Sequence, residues 1–312
     1  MMLYPPIEPY ASGFLQGDAG HRVYWETCGN PHGIPALFLH GGPGGSCNAN
    51  HRRIFDPARY RIILFDQRGC GRSTPSGSLV SNTTAHLVGD IEIIRIALTV
   101  ERWLLFGGSW GATLALAYAR RHPQHVSAMV LRGVFTARQS EIDWLYRNGA
   151  SNIFPEAWSR FATFIPKNER ADLIAAYHAR LTSGDAARER DAARAWCAWE
   201  DAVSTFVPSP MTSSEPAMLR LARIEAHYCM RRAFLDEGEL LAHTSHLKNI
   251  PGIIVQGRYD MVTPPTTAYD LHRSWPGSEL RIVPAAGHAS SEPGITHELI
   301  AATDALSARI AG

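Results

Sequence analysis

Three side chains that could share one proton-transfer chain lie far apart in the sequence: Ser109 in GGSWG, Asp260 closing IIVQGRYD, and His288 closing LRIVPAAGH. A serine hydroxyl is a weak nucleophile until a base takes its proton. An imidazole serves best as that base when a carboxylate fixes its tautomer and supports its cation. Ser109 lies in a G-x-S-x-G pattern, in which small residues two before and two after leave clearance for a strained turn that carries the hydroxyl at its apex. A helix starting there would also aim backbone N–H groups and the positive end of its dipole at developing negative charge. Glycine closing a helix would explain the same residues more plainly. The apolar run WLLF before the motif and the Ala-rich run after it give the strand-to-helix context that the elbow requires.

A second glycine cluster, HGGPGGS at 40–46, directly follows PALFLH. Glycines there let backbone N–H groups approach a ligand, and one of them could pair with the N–H of Trp110 as an oxyanion hole, a donor worth about 3 kcal/mol to a transition state. A tight turn is the plain alternative. A phosphate loop ranks low, because no G-K-[ST] follows and no acidic ribose partner is evident. Asp260 alone would read as a turn residue and His288 alone as structural. Together with Ser109 they give the order Ser, Asp, His, each just beyond its own expected strand. His297 sits inside a terminal helix, and Asp66 opens DQRGCGRS, a turn better explained as structural.

The elements that must position these residues alternate. HRVYWETCG (21–29), PALFLHGG (35–42), YRIILFDQRG (60–69), RWLLFGG before Ser109 and HVSAMVLRGV (125–134) read as strands rich in β-branched and aromatic residues. The nearly all-apolar ones suit strands buried on both faces of a mostly parallel sheet. NTTAHLVGDIEIIRIALTV (82–100) has helical spacing, with Thr83 or Thr84 as its cap. From Phe135 to His246 the strands give way to Ala, Arg, Glu and Trp at helical spacing. The alternation resumes with a strand at 250–260, a helix at 265–274, a strand at 279–288 and a helix from Pro293 to Arg309. The expected fold is therefore α/β: a mostly parallel sheet flanked by helices, formed by 1–134 and 247–312, with a helical cap at 135–246. In such sheets ligands bind beyond the carboxyl ends of the strands, where Ser109, Asp260 and His288 fall. Ser, Asp, His is the chain order of the α/β-hydrolase triad.

Composition narrows the rest. Thirty basic residues balance 29 acidic ones over 312 positions, and no polybasic block appears, so neither nucleic acid nor an anionic membrane is an expected partner. The start, MMLYPPIEPYASG, lacks the pattern of a signal peptide, and no apolar run is long enough for a membrane span, which makes a cytoplasmic protein the expectation. The five cysteines, Cys28, Cys47, Cys70, Cys197 and Cys229, are scattered and never form CxxC, so they read as free thiols. His122/His125 and His243/His246 have no third ligand or HExxH beside them. No metal or cofactor is expected.

HGGPGG with DQRGCGRS, GGSWGATLALAYA, GRYDMVTP and GHAS, in this order and at these separations, resemble bacterial proline iminopeptidases, the capped α/β-hydrolases that remove N-terminal proline from peptides. The elbow and triad are shared across the superfamily; HGGPGG, GGSWG and the cap motif AWE are the more specific part. The resemblance implies Ser109, Asp260 and His288 as the triad and Gly42 and Trp110 as the oxyanion donors. It places Glu200 in CAWED and Glu225 in RIEAHYC as cap carboxylates for the substrate's free amino terminus, with Phe135 as a wall of the proline pocket. The residues support this in part: Trp196, Trp199 and Glu200 stand at i, i+3 and i+4, putting two indoles and a carboxylate on one helix face, which would suit a protonated pyrrolidine ring. Without the resemblance, that spacing reads as ordinary helix packing with a solvated glutamate. Members of the family often carry a cysteine three residues after the triad aspartate; here that position is Thr263, so thiol sensitivity does not carry over.

Peptides with a free N-terminal proline are thus the expected substrates. An esterase or carbon–carbon bond hydrolase would share the triad without needing cap carboxylates. A non-catalytic receptor or scaffold on this fold would not need the intact Ser, Asp and His. A serine at the elbow argues against the aspartate-dependent dehalogenases and epoxide hydrolases. The mixed apolar and charged cap helices leave a homo-oligomer interface open.

Overall fold

A computed structural model describes residues 3–207, 213–242 and 244–311. Eight strands form one sheet: β1 (Ala11–Gln16), β2 (Arg22–Gly29), β3 (Ile34–Leu39), β4 (Tyr60–Phe65), β5 (Trp103–Gly108), β6 (Val126–Arg132), β7 (Gly252–Gly257) and β8 (Ser278–Val283). Their order across the sheet is β1-β2-β4-β3-β5-β6-β7-β8. β1 and β2 run antiparallel to their neighbours, and β3 to β8 are mutually parallel.

The helices are α1 (Ala49–Arg52), α2 (Thr84–Ala97), α3 (Trp110–Arg121), α4 (Gln139–Tyr146), α5 (Pro155–Phe164), α6 (Leu173–Leu181), α7 (Ala186–Ser204), α8 (Glu215–Cys229), α9 (Glu239–Ala242), α10 (Pro265–Ser274) and α11 (Pro293–Ala311). Strand side chains alternate between faces, so each inner strand feeds two apolar layers. Trp103 and Leu105 of β5 pack with Leu87 and Ile91 of α2, Leu114 of α3 and Leu271 of α10. Leu104 and Phe106 pack on the other side with Ile295, Leu299 and Leu306 of α11. Each such side chain, fully buried, contributes roughly 1.5–3 kcal/mol.

The strand runs expected from the sequence overshoot their carboxyl ends. β3 stops at Leu39 and β4 at Phe65, because HGGPGG and DQRG turn away from the sheet as loops. Thr83 is the cap of α2, its side chain accepting from the His86 amide. β1 was not foreseen: ASGFLQ lacks β-branched residues and leaves every second side chain exposed, as an edge strand does.

Between β6 and β7 the chain is helical. α4 to α8 bury their own cluster, in which Phe161 stacks on Tyr177 at 4.5 Å and Trp196 meets both rings edge-on. Before the boundary expected from composition, Ala233 and Leu240 already pack into the sheet's own core. Polar contacts tie this stretch to the core helices: Thr84 of α2 donates to the Ala233 carbonyl, and Arg120 of α3 pairs with Glu239. No helix among the described residues is long and apolar enough to cross a membrane.

Candidate active site

The loops at the carboxyl ends of β3, β5, β6, β7 and β8 converge on one cavity of about 260 Å³, roofed by α4, α7 and α8. Ser109 leaves β5 with φ 58° and ψ −123°, a conformation that L side chains rarely adopt and that costs on the order of 1–3 kcal/mol. Backbone bonds hold it there: its N–H donates to the Arg132 carbonyl at 2.8 Å, and its carbonyl accepts from the Ala112 amide at 2.9 Å and the Thr113 amide at 3.4 Å. The flanking glycines act by clearance. A Cβ on Gly107 would overlap the Gly111 carbonyl, and one on Gly111 would overlap the Leu39 carbonyl.

Trp110, the first residue of α3, is fully buried, and its Nε1 donates to Gln67 Oε1 at 2.8 Å. Gln67 in turn donates through Nε2 to the His40 carbonyl at 2.9 Å, and its own amide donates to His40 Nε2 at 3.0 Å. The DQRG turn therefore braces the nucleophile turn against HGGPGG. Asp66 does so as well, accepting from the amides of Cys47 at 2.8 Å and Arg72 at 2.9 Å and from Arg72 Nε at 2.6 Å. Gly42, at φ +115°, lines the cavity beside Ser109.

Asp260 and His288 are joined. Asp260 lies three residues past β7, and its Oδ2 accepts from His288 Nδ1 at 2.8 Å, from Thr263 Oγ1 at 3.0 Å and from Gln256 Nε2 at 3.1 Å. Its Oδ1 accepts the Val262 and Thr263 amides at 3.0 and 2.8 Å. Burial alone would raise this carboxyl, but the His288 charge and hydrogen bond, the Thr263 amide and Arg132 together hold it below the usual carboxylate range. Burial pushes His288 below the ordinary imidazole value; Asp260 opposes that shift and Arg132 adds to it. His288 hangs on a loop five residues beyond β8, where its N–H and that of Ala289 both donate to the Ser204 carbonyl at the end of α7, each at 2.9 Å.

The expected Ser109–His288 hydrogen bond is not formed. Arg132 Nη1 lies 3.0 Å from His288 Nε2 instead, and also donates to the His288 carbonyl at 2.8 Å. Arg132 is the main residue that sequence reasoning missed. Its signal was present: a charge ending the apolar strand HVSAMVLR, at the carboxyl edge where ligands bind. Room for it is made by Gly108, where a Cβ would meet the guanidinium at 2.6 Å.

The opposite end of the cavity is acidic. Glu200 of α7 and Glu225 of α8 face each other there; Glu200 accepts from the Tyr146 hydroxyl, and Glu225 accepts from Trp196 Nε1 at 3.0 Å. Burial raises both carboxyls, and the charge of Glu200 pushes Glu225 well above the ordinary range. Glu141 also lines the cavity but is spoken for, accepting from Thr136 Oγ1 at 2.6 Å and Thr267 Oγ1 at 2.9 Å. Among the described residues neither Glu200 nor Glu225 forms an ion pair.

Phe135 lines the cavity, as do Leu145 and Val262. Trp199 does not, contrary to the expectation that it flanks the ligand: its indole donates to the Leu145 carbonyl at 3.1 Å and packs edge-on to Trp158 at 5.2 Å inside the helical cluster. One residue of helix phase separates it from Glu200, enough to turn it inward. Trp196 does not line the cavity but supports it from behind, bonding Glu225 and stacking on Tyr146 at 4.6 Å. Tyr146 carried no sequence signal, since nothing in EIDWLY marks the tyrosine as facing a carboxylate on another helix. Among the described residues no group of three or more His, Cys, Asp or Glu side chains is placed to hold a metal; His243 lies outside them.

Residues 35–294 match the family model for the alpha/beta hydrolase fold. The chain is 50% identical over 309 residues to the proline iminopeptidase of Xylella fastidiosa (strain Temecula1), covering 97% of this chain and 99% of that one. It is 51% identical over 307 residues to that of Xanthomonas citri, covering 97% and 98%, and 48% identical over 312 residues to that of Arabidopsis thaliana, covering 98% and 82%. Among solved structures, VinJ superposes with a TM-score of 0.65 at 19% identity, over 96% of this chain and 99% of that one. A proline iminopeptidase-related protein of Thermus thermophilus superposes at 0.59 and 23%, over 96% and 98%. Those two share the fold. The full-length identities reach further, and with the serine elbow and the matching family model they place this chain in the proline iminopeptidase family of α/β-hydrolases.

Proposed function

We propose that this protein is a serine aminopeptidase that releases N-terminal proline from peptides through an acyl-enzyme. The observation that carries the substrate assignment is the buried carboxyl pair Glu200–Glu225 in the lining of the cavity that holds Ser109. A prolyl ammonium has two N–H donors, and two facing carboxylates supply an acceptor for each. A blocked or internal nitrogen would leave the pair buried without a cation, at a cost of a few kcal/mol, so endopeptidase action is rejected. Phe135 forms an apolar wall for the pyrrolidine ring.

In this reading His288 takes the Ser109 proton and passes it to the leaving nitrogen, while Asp260 holds the imidazole with Nδ1–H toward itself. The Gly42 and Trp110 amides stabilise the tetrahedral oxyanion. A water deprotonated by His288 then releases proline. The core comprises 1–134 and 247–312, with the cap drawn from 135–246 and its last stretch returned to the core. A cytoplasmic location suits these substrates.

Cleavage of proline anilide, N-acetylproline anilide and a simple aryl ester by wild type, Glu200→Gln and Ser109→Ala tests the assignment. We expect the acetylated anilide to be resistant, and Glu200→Gln to lose far more on the anilide than on the ester. Equal cleavage of free and acetylated anilides would remove amine recognition and leave the esterase reading.

A further inference from the structure

Arg132 is the group at the triad to which the mechanism above gives no task. Its guanidinium forms no ion pair among the described residues; Asp260, behind the imidazole, supplies the nearby negative charge, and Nε is buried with no hydrogen-bond partner. With His288 Nδ1 bonded to Asp260, Nε2 carries the lone pair that must receive the Ser109 proton. Arg132 Nη1 occupies that lone pair at 3.0 Å. The free enzyme thus holds its base capped by a cation that lacks a counter-charge, and turnover is faster when the cation is given a better partner.

Geometry limits what that partner is. The leaving nitrogen must come within about 3 Å of His288 Nε2 to receive its proton. In a one-residue leaving group the C-terminal carboxylate carbon is two bonds from that nitrogen, about 2.5 Å away. Its oxygens are therefore within reach of Nη1. Each further residue moves the carboxylate out by about 3.5 Å. There is also space beside Arg132. A second cavity of about 190 Å³, lined by Ser46, His51, Gly108 and Ser290, shares Arg132 and Gly41 with the first.

We propose that Arg132 binds the C-terminal carboxylate of a one-residue leaving group, so that Pro-Xaa dipeptides are the preferred substrates, and that this ion pair withdraws Nη1 from His288 Nε2 and frees the base. The proposal rests on the aminopeptidase reading of the same site. A bidentate guanidinium–carboxylate pair has the strength to account for both effects.

The test compares kcat/KM of the wild type on Pro-Gly, Pro-Gly amide, Pro-Gly-Gly and proline anilide, then repeats the series with Arg132→Gln. We expect wild type to favour Pro-Gly over its amide by roughly 10- to 100-fold, with Pro-Gly-Gly near the amide. In Arg132→Gln the acid-to-amide ratio should fall to about 1. Equal rates for acid and amide in wild type, or an unchanged ratio in the variant, would overturn the proposal. Should Arg132→Gln fail to fold, the wild-type ratios decide alone. If proline anilide is cleaved while acid and amide are equal, only the role of Arg132 is lost. If wild type leaves the anilide and all three peptides intact, the aminopeptidase reading goes with it.

Discussion

The two ends of the cavity are held by different forces. At the triad, backbone carries much of the positioning: a strained turn tied to the Arg132 carbonyl, two amides on Asp260 and the Ser204 carbonyl under His288, with Thr263, Gln256 and Arg132 side chains beside them. At the far end, side chains from α7 and α8 oppose two carboxylates, with one tyrosine and one indole as their named donors. The first end keeps its strained turn in the free protein, with Arg132 and not Ser109 against the base. The second holds two buried carboxyls whose charged forms burial disfavours. In the proposed function the first end supplies reactivity and the second selectivity.

The largest expected effect breaks the first end outright. Ser109→Ala should lower kcat on proline anilide by about 10⁴-fold or more with the fold intact, read by steady-state kinetics beside circular dichroism. At the second end, Glu200→Gln should cost on the order of 10²-fold in kcat/KM on the anilide and under about 5-fold on an aryl ester. Equal losses on both substrates would mean that the two ends are one unit.

pH separates them further. His288 must be neutral to act, and its pKa is depressed, so the acid limb of kcat should lie below the ordinary imidazole value of about 6.5. The carboxyls of Glu200 and Glu225 are raised, so they take up protons above the ordinary carboxyl range and KM should climb while kcat is still flat. A profile in which both constants change together would erase the distinction.

The sign for stability follows from the same shifts. Groups whose carboxyl pKa is raised by folding destabilise the fold as pH rises past the unfolded value of about 4.3. Glu225→Gln keeps an acceptor for Trp196 and removes the ionisation. Its melting temperature should rise by a few degrees near pH 8, ~1 kcal/mol, and stay unchanged near pH 4, while activity falls. The smallest kinetic effect belongs to Trp199→Phe, which should cost about 1–2 kcal/mol of stability, read by denaturant titration, and leave KM for proline anilide unchanged.

Much of the first end was legible in the chain. An elbow needs glycine where a Cβ would strike backbone, and a triad in a parallel sheet needs its members just past strand ends, so Ser109, Asp260 and His288 stand out by residue type and position. Glycine spacing and strand period are local facts, and local facts survive translation into sequence. β1 stayed hidden because its inward side chains, Ala11, Gly13 and Leu15, are only half-buried and none of its residues is β-branched.

The second end was only half legible. The sequence by itself determined that Glu200 shares a helix with two tryptophans, but helical spacing cannot say which residue of a helix meets the cavity and which meets the next helix. The tertiary structure decided that: α7 turns Trp199 into the cluster, Glu200 into the cavity beside Tyr146, and Trp196 onto Glu225 from α8. It also decided that Arg132, and not Ser109, faces His288 Nε2. The physical reason is common to both cases. Pairings between elements far apart in the chain are fixed by packing and by buried charges seeking partners, and neither leaves a repeating signal in the residues that carry it.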